Sequence, residues 1–173
     1  MTNVLLISEE YIKENTAIDD NVYGKYLLPA VREAQEMGLQ TVIGGSLYQS
    51  ILDMVASGDV QEPYTSLIEG FIQPYLAYKT IVDLVPVLGT KIANLGLIST
   101  DDEKAVNVSK SERDRLADYY QFRADFYCRR LQEYLCKNYT MFPELKECDC
   151  ALMKANLKSS ATSPIWLGGA YNK

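Results

Sequence analysis

The hydrophobic and polar positions of this chain follow the period of an α-helix over most of its first 140 residues. Apolar residues recur at intervals of three and four, which places them on one helix face. The pattern predicts a helix capped by Ser8 and ending near Thr16, and a second from a cap at residues 19–21 to Gly38 with a kink or restart at Pro29. Three more helices are predicted from about Ser46 to Ala56, from near Pro63 to a stop at Pro86 and Gly89, and from Ser109 to about Lys137. Leu39 to Gly45 is short and ends in two glycines, so it is predicted to be a turn.

The most apolar segment, residues 71–89, is predicted to be a helix enclosed by protein. A membrane span needs about 20 mostly apolar residues with few or no charges, whereas this segment carries Lys79, Asp83 and two prolines. Ser66 and Glu69 have the spacing of a capping box, which puts the start of the helix within a few residues. We therefore expect no contact with a membrane. The apolar face is predicted to contain Leu67, Phe71, Tyr75, Tyr78, Val82 and Val85.

The longest predicted helix begins with the capping-box pattern of Ser109 and Glu112. Residues 90–108, just before it, mix β-branched residues with Asn, Gly and Asp. This composition predicts a small hairpin or an irregular loop with residues 101–103 at its tip. The buried side of the long helix is predicted to contain Leu116, Tyr120, Tyr127, Leu131 and Tyr134.

The length and composition indicate one folded domain followed by an arm. A chain of 173 residues with 47% apolar and 23% charged residues has the size and composition of a single globular domain. We predict an all-α fold over residues 1–150, a compact helical bundle of four to five helices with a loop or hairpin at about 90–108. Residues 151–173 are predicted to be an extended C-terminal interaction arm.

The arm contains the only tryptophan of the chain, surrounded by Ser, Thr, Gly and Pro. Such a composition does not build a core of its own, yet aromatic residues are typical anchors of protein interfaces. The predicted partner-binding residues are Pro164, Ile165, Trp166, Leu167 and Tyr171. The alternative is that Trp166 folds back onto its own domain, because tryptophan is mostly buried somewhere.

Composition argues against catalysis, cofactors and nucleic-acid affinity. There is no histidine, so a nucleophile–histidine mechanism is excluded and the commonest metal ligand is missing. Cys128 and Cys136 on one helix would lie about 12 Å apart along its axis, too far apart for one zinc site. The net charge is −6 and the basic residues are scattered, which disfavours general binding to DNA or RNA. We predict no enzyme, no metal and no cofactor.

The N-terminal sequence does not have the pattern of a secretion signal. It lacks a basic first region, and its apolar run is interrupted by Ser8 and Glu9. We therefore expect the protein to be made and kept in a cytoplasm.

Six segments, in this order along the chain, resemble the small head–tail connector proteins of tailed bacteriophages. The likeness is to the ring or adaptor proteins of phages that infect Bacteroidota, including the crAss-like phages. The segments are YLLPAVREAQ (26–35), VIGGSLYQSIL (42–52), FIQPYLAYKTIVDLVPVL (71–88), IANLGLIS (92–99), DYYQFRADFYCRRLQEYL (118–135) and PIWLGGAYNK (164–173).

The resemblance implies a structural virion protein of the head–tail junction that assembles in the host cytoplasm. It would form a homo-oligomeric ring, expected to have twelve copies, beneath the portal protein. The ring would extend the channel through which genomic DNA passes without sequence-specific binding, and it would dock the next tail component. The arm would be anchored on the portal or on an adjacent subunit. The alternative function is a helical regulatory module that binds a host protein as a monomer or dimer.

Overall fold

A computed structural model describes residues 4–19, 22–88, 90–93, 96–99 and 109–145 of the chain. These residues form five continuous helical stretches and one short hairpin, so the predicted all-α class is confirmed. The elements are α1 (Glu9–Asn15), α2 (Gly24–Glu33), the π-helical segment π1 (Ala34–Leu39), α3 (Gln40–Ile43), α4 (Gly45–Ser57), α5 (Tyr64–Leu67), the π-helical segment π2 (Ile68–Ile72), α6 (Gln73–Leu88), β1 (Thr90–Ala93), β2 (Gly96–Ser99), α7 (Lys110–Lys137) and a 3₁₀ turn (Tyr139–Met141).

Local chemistry explains several of the helix ends. The Ser8 Oγ accepts a hydrogen bond from the Tyr11 N–H at 3.1 Å and caps α1. At α7 the predicted capping box is present, because the Ser109 N–H also donates to the Glu112 side chain at 2.9 Å. Helix α4 ends at Gly58, whose φ of +73° lies in the left-handed region that favours glycine.

Two predicted helix boundaries are wrong near the N-terminus. The N-cap of α2 is Tyr23, without a side-chain hydrogen bond, and not the acidic cluster at residues 19–21. The predicted turn from Leu39 to Gly45 is helical as far as Ile43, and the break is confined to Gly44 at a φ of +83°. The prediction of a turn fails because π1 has more residues per turn than an α-helix. The buried positions after π1 are therefore displaced from the spacing of three and four residues that predicts a helix.

Proline and serine signals were also misread in two helices. Pro29 lies inside α2, so the helix does not restart there, and α6 continues through Pro86 and ends at Leu88, directly before the second predicted stop at Gly89. Ser66 lies inside α5, which begins at Tyr64 after Pro63, so Ser66 and Glu69 do not form a cap. Burial of these helices against the rest of the protein outweighs the local signals.

Helix α6 is the centre of the bundle. It packs against α7 on one side and against α2, π1 and α1 elsewhere. Every side chain from Phe71 to Val85 is buried or half-buried, including the polar Thr80. The prediction of a helix enclosed by protein is therefore confirmed.

Aromatic rings fill much of the contact between α7 and the segment from π2 to α6. Phe71 stacks on Tyr134 with ring centroids 4.0 Å apart, and Tyr78 stacks on Tyr127 at 5.2 Å. Tyr120 and Leu131 are buried as predicted. The prediction for Leu116 is wrong, because its side chain is exposed.

The predicted hairpin is present in the described part of residues 90–108. Strands β1 and β2 are antiparallel, with Thr90 opposite Ser99 and Ala93 opposite Gly96. Ala93 and Gly96 are the paired residues that lie closest together in sequence. Residues 101–103 lie outside the described residues, as does the whole predicted arm.

Candidate functional site

The predicted partner-binding residues are not among those that the structure describes. Pro164, Ile165, Trp166, Leu167 and Tyr171 lie outside the described ranges, so their role stays a prediction. The described residues instead offer two surfaces that the sequence pattern did not indicate. One is an apolar groove, and the other is a row of exposed rings on α7.

The apolar groove lies between the N-terminal segment and the region from the end of α4 to π2. Its volume is about 530 Å³. The polar lining includes Glu69, which is exposed, and Gln73. The apolar lining comes from Leu5, Leu6, Ile7, Val55, Val60 and Ile68. A groove of this size and lining is suited to apolar side chains of a peptide or a partner protein.

Two glutamines hold the N-terminal wall of the groove in place. The Leu6 N–H donates to Gln35 Oε1 at 2.9 Å, and Gln35 Nε2 donates to the Val4 carbonyl at 3.0 Å and to Tyr48 Oη at 3.2 Å. Gln73 Nε2 donates to the Leu6 carbonyl at 3.1 Å. The two side-chain amides thus provide hydrogen-bond partners for the backbone groups of Val4 and Leu6, which belong to no helix or strand.

The end of the described chain packs against Tyr64 of α5. After α7 the chain turns back, and the Tyr64 hydroxyl donates to the Glu144 carboxylate at 2.9 Å. Burial, together with the hydrogen bond and charge of Glu144, raises the pKa of Tyr64 to about 12. Tyr64 also meets the Phe142 ring edge to face at 5.5 Å and is followed by Thr65, which lines the groove. Phe142 and Glu144 therefore hold the end of the described chain against α5.

The second surface is a row of exposed apolar side chains on α7, here called the α7 stripe. It consists of Leu116, Tyr119, Phe122 and Phe126, whose exposed fractions lie between 48% and 68%. At 100° per residue these four positions fall within an arc of about 120°. The Arg123 guanidinium lies 3.6 Å from the centroid of the Tyr119 ring, a cation–π contact within the stripe.

Charge is divided between different parts of the chain. Residues 33–78, which include α4 and α5, contain six acidic residues and no lysine or arginine. Helix α7 contains seven basic and five acidic residues. The protein therefore presents an acidic region and a more basic helix that carries the α7 stripe.

The described residues show no arrangement suited to metal binding or thiol chemistry. Within those residues, no three Cys, Asp or Glu side chains are placed to share a metal ion. Burial, and secondly the charge of Asp125, raises the pKa of the Cys128 thiol to about 11, which disfavours the reactive thiolate. Cys136 is half-buried, while Cys148 and Cys150 lie outside the described residues.

None of the helices in the described ranges combines the length and the apolar character needed to cross a bilayer.

The sequence signals for the two surfaces were of unequal strength. The α7 stripe lies in a helix that was predicted, but its exposure depends on which face of α7 packs on α6. Gln35 occupied an ordinary polar position in the helix pattern, and nothing local marks it as a buried clamp. The groove joins residues that are far apart in sequence, so no motif indicates it.

Comparison with known proteins places the chain in one family. Residues 39–152, about two thirds of the chain, match DUF6712, a family of unknown function. The chain therefore belongs to this family. No curated protein and no solved structure is significantly similar to it.

Proposed function

We propose that this member of the DUF6712 family is a structural virion protein, a head–tail connector of a tailed bacteriophage. Copies of the chain, expected to number twelve, form a ring beneath the portal protein, extend the DNA channel and dock the next tail component. The resemblance of six ordered segments to phage ring proteins supports this proposal. The structural observation that carries it is the α7 stripe.

The α7 stripe has the composition of a protein interface. Exposed aromatic side chains that lie together on a monomer mark interaction sites, whereas single exposed apolar residues are ordinary. Tyr, Phe and Arg are enriched in interfaces, and Tyr119, Phe122 and Arg123 provide all three on one helix. A partner that covered the stripe would remove four large side chains from water.

The division of charge supports a contact between unlike surfaces of neighbouring copies. The acidic region at residues 33–78 of one copy attracts the arginines of α7 of another copy, whereas two acidic regions repel each other, as do two α7 helices. This favours a head-to-tail arrangement. Head-to-tail contacts close into rings when the rotation between subunits permits. The net charge of −6 also suits the wall of a channel, because it repels DNA and lets it slide.

The test is the mass of the protein alone and with the portal protein encoded in the same genome. Light scattering after size-exclusion chromatography should find a large complex whose stoichiometry matches that of the portal ring. Absence of any complex at several salt concentrations would contradict a direct portal contact. A stable complex with a host protein in its place would support the alternative of a helical regulatory module.

Two substitutions test whether the α7 stripe itself, and not exposed apolar surface in general, forms the interface. Phe122→Glu places a charge in the stripe, and Met37→Glu places one on π1 at a side chain that is equally exposed, 69% against 68%. Both variants should fold, because both side chains face solvent. Only Phe122→Glu should prevent the large complex; equal behaviour of the two variants would exclude the stripe as the interface.

A further inference from the structure

We infer that the apolar groove binds residues Pro164–Tyr171 of an adjacent copy of the chain. This inference rests on the proposed ring and deepens it, since it names the surface that receives the arm. The apolar side chains of Ile165, Trp166 and Leu167 would fill the groove. The groove supplies an apolar lining from three separate parts of the chain.

Charge complementarity favours the arm as the occupant. Residues 151–173 contain three lysines and no acidic residue. The groove is lined by Glu69, and the wall opposite the N-terminal segment belongs to the acidic region at residues 33–78, where Asp59 and Glu62 are also exposed. Apolar anchors flanked by lysines therefore meet an apolar groove flanked by carboxylates. The α7 stripe is a poorer match, because α7 carries more basic than acidic residues.

The length of the tether between Leu145 and the arm allows a neighbouring copy to supply the arm. Leu145 is the last described residue, and twenty residues of chain lead from it to Ile165. A tether of this length has a typical span of about 25 Å and a maximum of about 70 Å. Twenty residues therefore suffice to reach the groove of an adjacent subunit in the proposed ring.

The first experiment tests whether the groove accepts the arm. A fluorescently labelled peptide of residues 158–173 is titrated with the full-length Trp166→Ala chain, whose own arm has lost its main anchor. Fluorescence anisotropy should show saturable binding. Adding Val60→Glu, a change in the lining, should weaken binding about tenfold or more, and Glu69→Lys should weaken it less. Glu133→Lys is the matched control, since it makes the same charge change on exposed α7 surface outside the acidic region and should leave the affinity unchanged.

The second experiment identifies the source of the arm in the natural chain. Trp166 is the only tryptophan, so its emission reports the arm directly. On dilution the emission should move to longer wavelength as the mass from light scattering falls to that of a monomer. An emission at short wavelength that does not change with dilution would show that the arm docks on its own chain and would overturn the inference. An emission at long wavelength at every concentration, or a peptide that does not bind, would overturn it as well.

The two proposals can fail independently. A chain that exchanges arms as inferred but forms no complex with the portal would disprove the connector function alone. A portal complex that forms equally well with Val60→Glu and with the natural chain would disprove the docking of the arm in the groove alone.

Discussion

The replacement of Gln35 by leucine tests how the N-terminal wall of the groove is held. Gln35 is 3% exposed and bridges the Val4–Leu6 segment to π1 and α4 through three hydrogen bonds. Leucine has a similar size, so Gln35→Leu removes the polar atoms without leaving a large cavity. The Leu6 N–H, which is buried, then has no acceptor, and the Val4 carbonyl loses its donor.

The expected cost follows from these unpaired groups. A buried donor or acceptor without a partner costs about 1–3 kcal/mol. The Leu6 N–H incurs this penalty, while the Val4 carbonyl is only partly buried and costs less because water can reach it. We expect a loss of about 2 kcal/mol in the free energy of unfolding. This corresponds to a fall of about 1 M in the urea midpoint for a typical slope of 2 kcal/mol per M.

Urea unfolding followed by far-ultraviolet circular dichroism measures this loss, and peptide binding measures its effect on the groove. Gln49→Leu is the matched control, because the hydrogen bond from Gln49 to Asp53 is exposed and its loss should change stability by less than about 0.5 kcal/mol. Gln35→Leu should also weaken binding of the 158–173 peptide, since the wall formed by Leu5 to Ile7 is released. A Gln35→Leu midpoint equal to that of Gln49→Leu would refute the role of Gln35 as a clamp.

Two further predictions concern close packing and alkaline pH. Gly38→Ala places a methyl group 2.9 Å from Tyr75 Oη and should lower the free energy of unfolding by about 1 kcal/mol. In Gly70→Ala the added methyl group meets no atom within 4 Å, so this variant should be more stable by up to about 1 kcal/mol. Midpoints of thermal unfolding that shift in the same direction in both variants would contradict this prediction. Because burial raises the pKa of Cys128 from 9.0 to about 11, its contribution to stability is complete below pH 9 and is lost as the pH rises through 11. Urea midpoints across this window should therefore fall less in Cys128→Ala than in the natural chain, and parallel falls would show that Cys128 plays no part.

Local signals predicted those elements whose ends are set by their own residues. The Ser109–Glu112 box and the Ser8 cap were read correctly, because a capping side chain and its backbone partner lie within three residues. Gly58 ended α4 for an equally local reason, its left-handed φ. The apolar period of α6 was strong enough to predict that protein surrounds it.

Where tertiary packing opposes a local signal, the helix boundary or burial predicted from the sequence is wrong. Pro29 and Pro86 lie inside helices because tertiary packing outweighs the lost backbone hydrogen bond. The extra residue in each turn of π1 displaced the buried positions and made residues 39–43 look like a turn. The periodicity of α7 predicts that Leu116 is buried, but its side chain is exposed. Which residues of α7 are covered depends on where α6 packs against it, and the α7 sequence alone does not contain this information.

The sequence by itself determined the all-α class of this protein and where most of its helices begin and end. These properties depend on periodicity and on contacts between residues a few positions apart. Only the tertiary structure decided which faces remain exposed, because exposure depends on partners that lie far away in sequence. The α7 stripe, the Gln35 clamp and the groove between residues 5–7 and 55–69 arise from such long-range packing, so the surfaces on which function is proposed became visible only in the folded chain.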